Sequence, residues 1–193
     1  MIKFFAMISR MKFINRWSLM RNEHNENLCE HSFDVAGTAH ALAVIGNRRF
    51  GKNYNAERCA LLGLYHDAPE TLTGDMPTPV KYYSEQVRSA YKTVEEYACS
   101  SLLAMLPEDL REDYIPLFIP QEGDEELWKL VKAADKISAL VKCIEECRSG
   151  SGEFRTAAES TKAAIAKMNL PEADVFLREA LPAYELTLDE LKD

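Results

Sequence analysis

Apolar positions along the chain recur at three- and four-residue steps, and sustained alternation of apolar and polar residues is almost absent. That period belongs to amphipathic helices, not to half-buried strands. Helices are predicted over roughly residues 2–14, 30–47, 55–68, 79–105, 107–115, 124–148, 153–167 and 171–191, each end placed to about 2–4 residues. Breakers separate them: GKN at 51–53, TGDMPTP at 73–79, LPED at 106–109 and RSGSGEF at 148–154. There is no internal repeat and no low-complexity segment. SGSGE reads as a loop between two helices rather than a domain linker. With 193 residues the chain can build one real core and is short for two. The prediction is an all-α, single-domain helical bundle over residues 1–193, with the first helix and the helices of 153–191 inside the same domain.

Three of these apolar stripes carry a titratable residue where the interior should be. Cys59, Leu62, Gly63 and His66 share one face, and Asp67 follows at once. Pro69 disfavours helical geometry at Ala68, so this helix should stop here, with Glu70 just beyond. His31 heads a stripe of Val35, Thr38, Ala39, Leu42 and Ile45. His40 follows nine residues later, about 180° around the helix, and is assigned to the scaffold. His24, in the polar stretch RNEHNEN, is expected in solvent. Asp135 shares a face with Trp128, Val131, Ser138 and Ala139. A buried aspartate is costly unless it is paired or bound to a metal. A lone buried histidine is more often a hydrogen-bonded core residue than a ligand. Three helices each offering an inward acid or imidazole shift that balance. Two imidazoles and two carboxylates form a hard-to-borderline donor set, suited to Mn, Co, Ni, Fe or Zn.

Composition narrows the partners. The net charge is −8 with pI about 5.1, which gives no bulk attraction for nucleic acid or an anionic membrane. No apolar run approaches the roughly 18 residues of a membrane span. Cysteines stand at 29, 59, 99, 143 and 147, an odd number without a C-x-x-C pair, which fits a reducing, cytoplasmic setting. The N-terminus carries Lys3, Arg10, Lys12, Arg16 and Arg21 and no acid before Glu23. Its apolar run is too short and interrupted for a secretory signal, and Phe4, Phe5, Ile8, Met11 and Asn15 follow helical spacing.

The order H…HD…D on helices is the signature of the HD-domain metal-dependent phosphohydrolases. The flanking residues are more telling: INRW at 14–17, EHS at 30–32, NAERCALLGLYHDAPE at 55–70, TGDMPTPVK at 73–81 and KAADKISALVKCIEE at 132–146. Over nearly the whole chain the sequence closely resembles the bacterial HD-domain 5′-deoxynucleotidases. The resemblance implies an HD-type bundle and one divalent metal (Co, Mn or similar) on His31, His66, Asp67 and Asp135, the four positions that helical periodicity also selects. It implies that Glu70 aligns the attacking water and that Arg16 holds the phosphate. Trp17 would leave no room for a 2′-hydroxyl. Asp75 would accept a hydrogen bond from the 3′-hydroxyl, and Met76, Pro77 and Thr78 would line the site. His31, Asp67 and Asp135 would also meet the substrate, and Lys81 is a weaker candidate for phosphate electrostatics. The implied substrates are deoxyribonucleoside 5′-monophosphates and the implied assembly is a homodimer. The competing readings are hydrolysis of another phosphate ester, such as a nucleoside triphosphate or cyclic nucleotide, and a helical metal- or nucleotide-binding protein without catalysis.

Overall fold

The long helix α2, Leu28–Phe50, shows how closely the sequence sets local structure. The Asn27 side chain accepts the backbone N–H groups of Cys29 and Glu30, and the Glu30 carboxylate takes the Asn27 N–H in return. This capping box satisfies the exposed donors of the first turn. Gly51, at φ 65°, ends the helix in the left-handed region. Val35, Ala39, Leu42 and Ala43 are buried along its inner stripe.

A computed structural model describes residues 1–81 and 83–192. The fold is all-α, and no strand occurs among the described residues. α2 packs against α3 (Ala56–Tyr65) and α8 (Glu125–Arg148) around a core that includes Leu62, Leu130, Ala133, Ala134, Ile137 and Leu140. α9 (Arg155–Ala166) and α10 (Pro171–Glu179) close one side through Ile165, Ala173 and Phe176. The other side is closed by α1 (Phe4–Ile8), α6 (Glu85–Leu103) and α7 (Glu108–Phe118), where Phe4 meets Tyr114 and Phe118 edge-on. Arg58 forks onto both carboxylate oxygens of Asp124, tying the start of α3 to the start of α8. A small cluster of Met11, Leu28 and Ala68 sits beneath the turn that follows α3.

Several predicted elements change. The helix expected over 2–14 is α-helical only to Ile8; a 3₁₀ turn follows at Ser9–Phe13, and Ile14 turns extended to pair with Leu28. Asn15 therefore leaves the helical stripe and bridges Asn27, and Phe5 is exposed. α3 stops at Tyr65, not at residue 68; Pro69 instead opens a one-turn helix, α4 (Glu70–Thr73), as proline favours helix starts. The expected breaker at 73–79 runs into a second single turn, α5 (Thr78–Lys81). The helix expected over 79–105 begins at Glu85, because Ser84 is extended and its hydroxyl caps Val87 N–H. Position 82 lies outside the described residues. α7 runs through Pro116 to Phe118. The helix expected over 171–191 stops at Glu179, and a 3₁₀ turn with Pro182 near its start follows at Leu181–Glu185. His40, assigned to the scaffold, is exposed, and His24 is exposed as expected.

Gly63 sets the distance between α2 and α3. A Cβ there would lie 3.0 Å from Ala36 Cα and 3.2 Å from both Ala36 N and Val35 O, all backbone atoms that cannot swing aside. Gly63→Ala should therefore destabilise the fold by about 1–3 kcal/mol, despite alanine's better helix propensity. Gly37, in the interior of α2, has nothing within 4 Å of its Cβ direction, so Gly37→Ala should gain about 0.5–1 kcal/mol. Urea unfolding of the two variants checks both signs.

Candidate metal centre and substrate cavity

The end of α3, the first turns of α2 and the middle of α8 meet at one point. His31 lies one turn into α2, where the buried inner stripe begins, and is itself fully buried. His66 and Asp67 occupy the turn after α3, which the burial of Ala68 against Met11 and Leu28 holds in place. One ligand atom from each of His31, His66 and Asp67 lies within 4.8 Å of the others, a grouping able to hold a metal ion. Asp135 of α8 adjoins them, its Oδ1 3.2 Å from His31 Nε2. The four expected ligands are thus brought together from three regions of the chain.

The ring nitrogens are sorted for metal binding. His66 Nδ1–H donates to the Gly63 carbonyl at 2.7 Å, which leaves the Nε2 lone pair facing Asp67. His31 Nδ1 meets Ser138 Oγ at 3.1 Å. Both Nε2 atoms are buried, and neither has a hydrogen-bond partner among the described residues. Buried polar atoms are seldom left unsatisfied, and two imidazole lone pairs converging on carboxylates fit a divalent cation.

Electrostatics point the same way. Burial alone would push the His66 imidazole down, but Asp67 and then Asp135 outweigh it and raise it to about 9. Burial would raise Asp67 too; His66, His31 and Arg16 overcome that and hold its carboxyl well below the usual range. Asp135 is held low against burial, chiefly by His31. Glu70 behaves oppositely. Burial, then Asp67 and Asp75, push it up to about 9, and its Oε2 is buried without a partner. It is the carboxyl of this group that keeps a proton near neutral pH.

A cavity of about 530 Å³ is lined by Arg16, Trp17, Ser18, Leu19, Met20, Asp75, Pro77, Thr78 and Pro79, with Ala157, Ser160 and Thr161 of α9 opposite. Its size suits a small-molecule ligand. Arg16 joins it to the metal group, with Nη1 3.2 Å from Asp67 Oδ2. Trp17 holds φ 58°, a conformation that costs a bulky residue about 1–3 kcal/mol and persists only when the surroundings enforce it. Its indole leans on Phe154 at 5.4 Å and donates Nε1–H to Glu26 at 2.8 Å. Met76 is half-buried and is not among the lining residues, so its expected place in the wall is not met. Lys81 is engaged elsewhere, 2.7 Å from Glu95 and 4.9 Å above the Tyr91 ring. Glu26 and the α9 residues had no place in the sequence reading.

The family described as 5′-deoxynucleotidase YfbR-like matches residues 3–184. The 5′-deoxynucleotidase VV1113 of Vibrio vulnificus (strain YJ016) is 49% identical over 188 residues, covering 97% of each chain. The 5′-deoxynucleotidase YfbR of Shigella dysenteriae serotype 1 is 49% identical over 188 residues, covering 97% of this chain and 94% of its own. Among solved structures, an HD-domain phosphohydrolase (lin2634) from Listeria innocua superposes with TM-score 0.80 at 23% identity, over 98% of this chain and 95% of its own. The cyanophage S-2L HD phosphohydrolase DatZ, bound to dA and one catalytic Zn²⁺, superposes with TM-score 0.67 at 16% identity, over 94% of this chain and 96% of its own. These two likenesses concern the fold.

A cation and a proton compete for His66 Nε2. With the imidazole raised to about 9, metal affinity should climb as pH rises from 6 toward 9, and binding at pH 7 should release about one proton. Titration calorimetry in buffers of differing ionisation enthalpy reads that proton. Affinity independent of pH would contradict the arrangement.

Proposed function

The chain belongs to the YfbR-like 5′-deoxynucleotidase family, and from that premise we propose that it hydrolyses deoxyribonucleoside 5′-monophosphates to deoxynucleoside and phosphate, using one divalent metal held by His31, His66, Asp67 and Asp135. The observation that carries this reading is the pair of Nε2 atoms, without hydrogen-bond partners among the described residues, facing two carboxylates beside a cavity lined by Arg16. Residues 1–193 act as one catalytic domain, in the cytoplasm and as a homodimer. Those last points rest on the resemblance. Cobalt, manganese or a similar divalent ion is the proposed metal, a group that the mixed imidazole and carboxylate donors suit.

When bound, the ion supplies Lewis acidity to a phosphoryl oxygen and lowers the pKa of a water. The chain's own residues do the rest. Arg16, fixed against Asp67, offers its guanidinium to the phosphate and stabilises charge that grows as the P–O bond breaks. Glu70 aligns the attacking water. Trp17, fixed in its strained conformation, forms the wall that a 2′-hydroxyl would strike. Asp75 receives the 3′-hydroxyl, and Pro77 and Thr78 shape a stiff edge beside it. Arg16 is the one cationic side chain among the described residues that line the cavity, and Lys81 is already paired. A single cation favours a monoester over a triphosphate.

With Mn²⁺ or Co²⁺, dAMP should yield phosphate, dATP should yield neither pyrophosphate nor triphosphate, and AMP should react far more slowly. Asp67→Asn should abolish turnover. Glu70→Ala should lower kcat by roughly 10²–10⁴-fold. Trp17→Ala should cut the dAMP-over-AMP preference by roughly 10–100-fold. Full turnover in Glu70→Ala, or an unchanged sugar preference in Trp17→Ala, would remove that residue's assigned role.

A further inference from the structure

Glu26 is a buried acid on which three parts of the site converge. Its Oε2 accepts Trp17 Nε1–H at 2.8 Å and lies 3.5 Å from Arg16 Nε. Its Oε1 lies 3.5 Å from His31 Nδ1, the ring nitrogen turned away from the metal group, which it shares with Ser138 Oγ. The backbone fixes this geometry. Asn27 caps α2, so Glu26 and His31 stand at the positions just before the cap and four residues into the helix, whose side chains meet across a helix start. A short antiparallel bridge then lays residues 14–16 alongside: Arg16 N–H donates to the Glu26 carbonyl at 2.9 Å, and Leu28 N–H to the Ile14 carbonyl at 3.0 Å. The preceding loop is anchored from α8, where the buried Glu146 carboxylate accepts the backbone N–H groups of Glu23 and His24. Glu26 is 7% exposed.

We propose that Glu26 is a positioning residue that couples the metal centre to sugar selection, one carboxylate orienting the His31 imidazole through Oε1 and the Trp17 indole through Oε2. The half concerning the sugar rests on the function proposed above; the half concerning the metal does not. A carboxylate behind a ligating imidazole fixes its tautomer and raises its basicity, and losing such a partner costs roughly 10–100-fold in metal affinity. Among the described residues, the same carboxylate is the one hydrogen-bond partner of the indole of Trp17, the residue that holds φ 58°.

The test compares Glu26→Ala and Glu26→Gln with the wild type in three measurements. These are Mn²⁺ affinity by calorimetry, the dAMP-over-AMP ratio of kcat/KM, and the Trp17 indole N–H resonance, assigned with Trp17→Phe. Glu26→Ala should weaken Mn²⁺ binding roughly 10–100-fold, lower the sugar ratio about tenfold and shift the indole resonance. Glutamine can still accept from Trp17 but presents a neutral group to His31. Glu26→Gln should therefore lose metal affinity while keeping the sugar ratio and the resonance. A Glu26→Ala protein altered in metal affinity alone, in sugar ratio alone or in neither overturns the coupling. If that variant does not fold, Glu26→Gln decides: wild-type metal affinity overturns the proposal. If the wild type itself shows no preference for dAMP, the functional reading fails, and the affinity and resonance together still decide on Glu26.

Discussion

Everything at this site depends on the Asp67 carboxylate, which is largely but not fully withdrawn from water. Oδ2 of that side chain lies 3.1 Å from His66 Nε2, 3.6 Å from His31 Nε2 and 3.2 Å from Arg16 Nη1. A charge taken out of water is tolerable only with partners of opposite sign or a metal. Here the partners come from the turn itself, from α2 and from the segment before α2. The surrounding architecture serves to keep them there. Gly63 lets α2 and α3 approach closely and lends its carbonyl to His66, while Ala68 pins the turn from below.

A second acid, Glu26, gathers partners on the cavity side as Asp67 does at the candidate metal centre. The two are linked through Arg16, whose Nη1 meets Asp67 and whose Nε lies near Glu26. Arg16 is thus held between two carboxylates, so the order imposed on the candidate metal ligands extends to the cavity wall. Preorganisation of this kind lets a site favour charge development without rearranging during the reaction.

His31, His66 and Asp135 were legible because each interrupts an apolar stripe at helical spacing, a signal that survives errors at helix ends, and Asp67 because it directly follows His66. His31 sits at the head of Val35, Ala39 and Leu42, all buried. Helix ends were less legible. Pro69 signalled a boundary, but whether proline closes one helix or opens the next depends on the chain beyond it, and here it opens α4. Ser84 splits an expected helix because its cap outweighs a continuous apolar pattern. Glu26 was hidden for another reason. RNEHNEN is polar throughout, and only the pairing of residues 14–16 with 26–28 reveals that one of its acids is interior. The same limit applies to Ala157, Ser160 and Thr161, whose place opposite Trp17 is set by the packing of α9.

The central claim is that three separated segments build one metal centre. Anomalous scattering from a crystal grown with Co²⁺ tests it most directly. The account predicts one strong peak per chain, about 2.0–2.2 Å from His31 Nε2, His66 Nε2 and a carboxylate oxygen of each of Asp67 and Asp135. No peak at that position, or a peak ligated without both histidines, would contradict it.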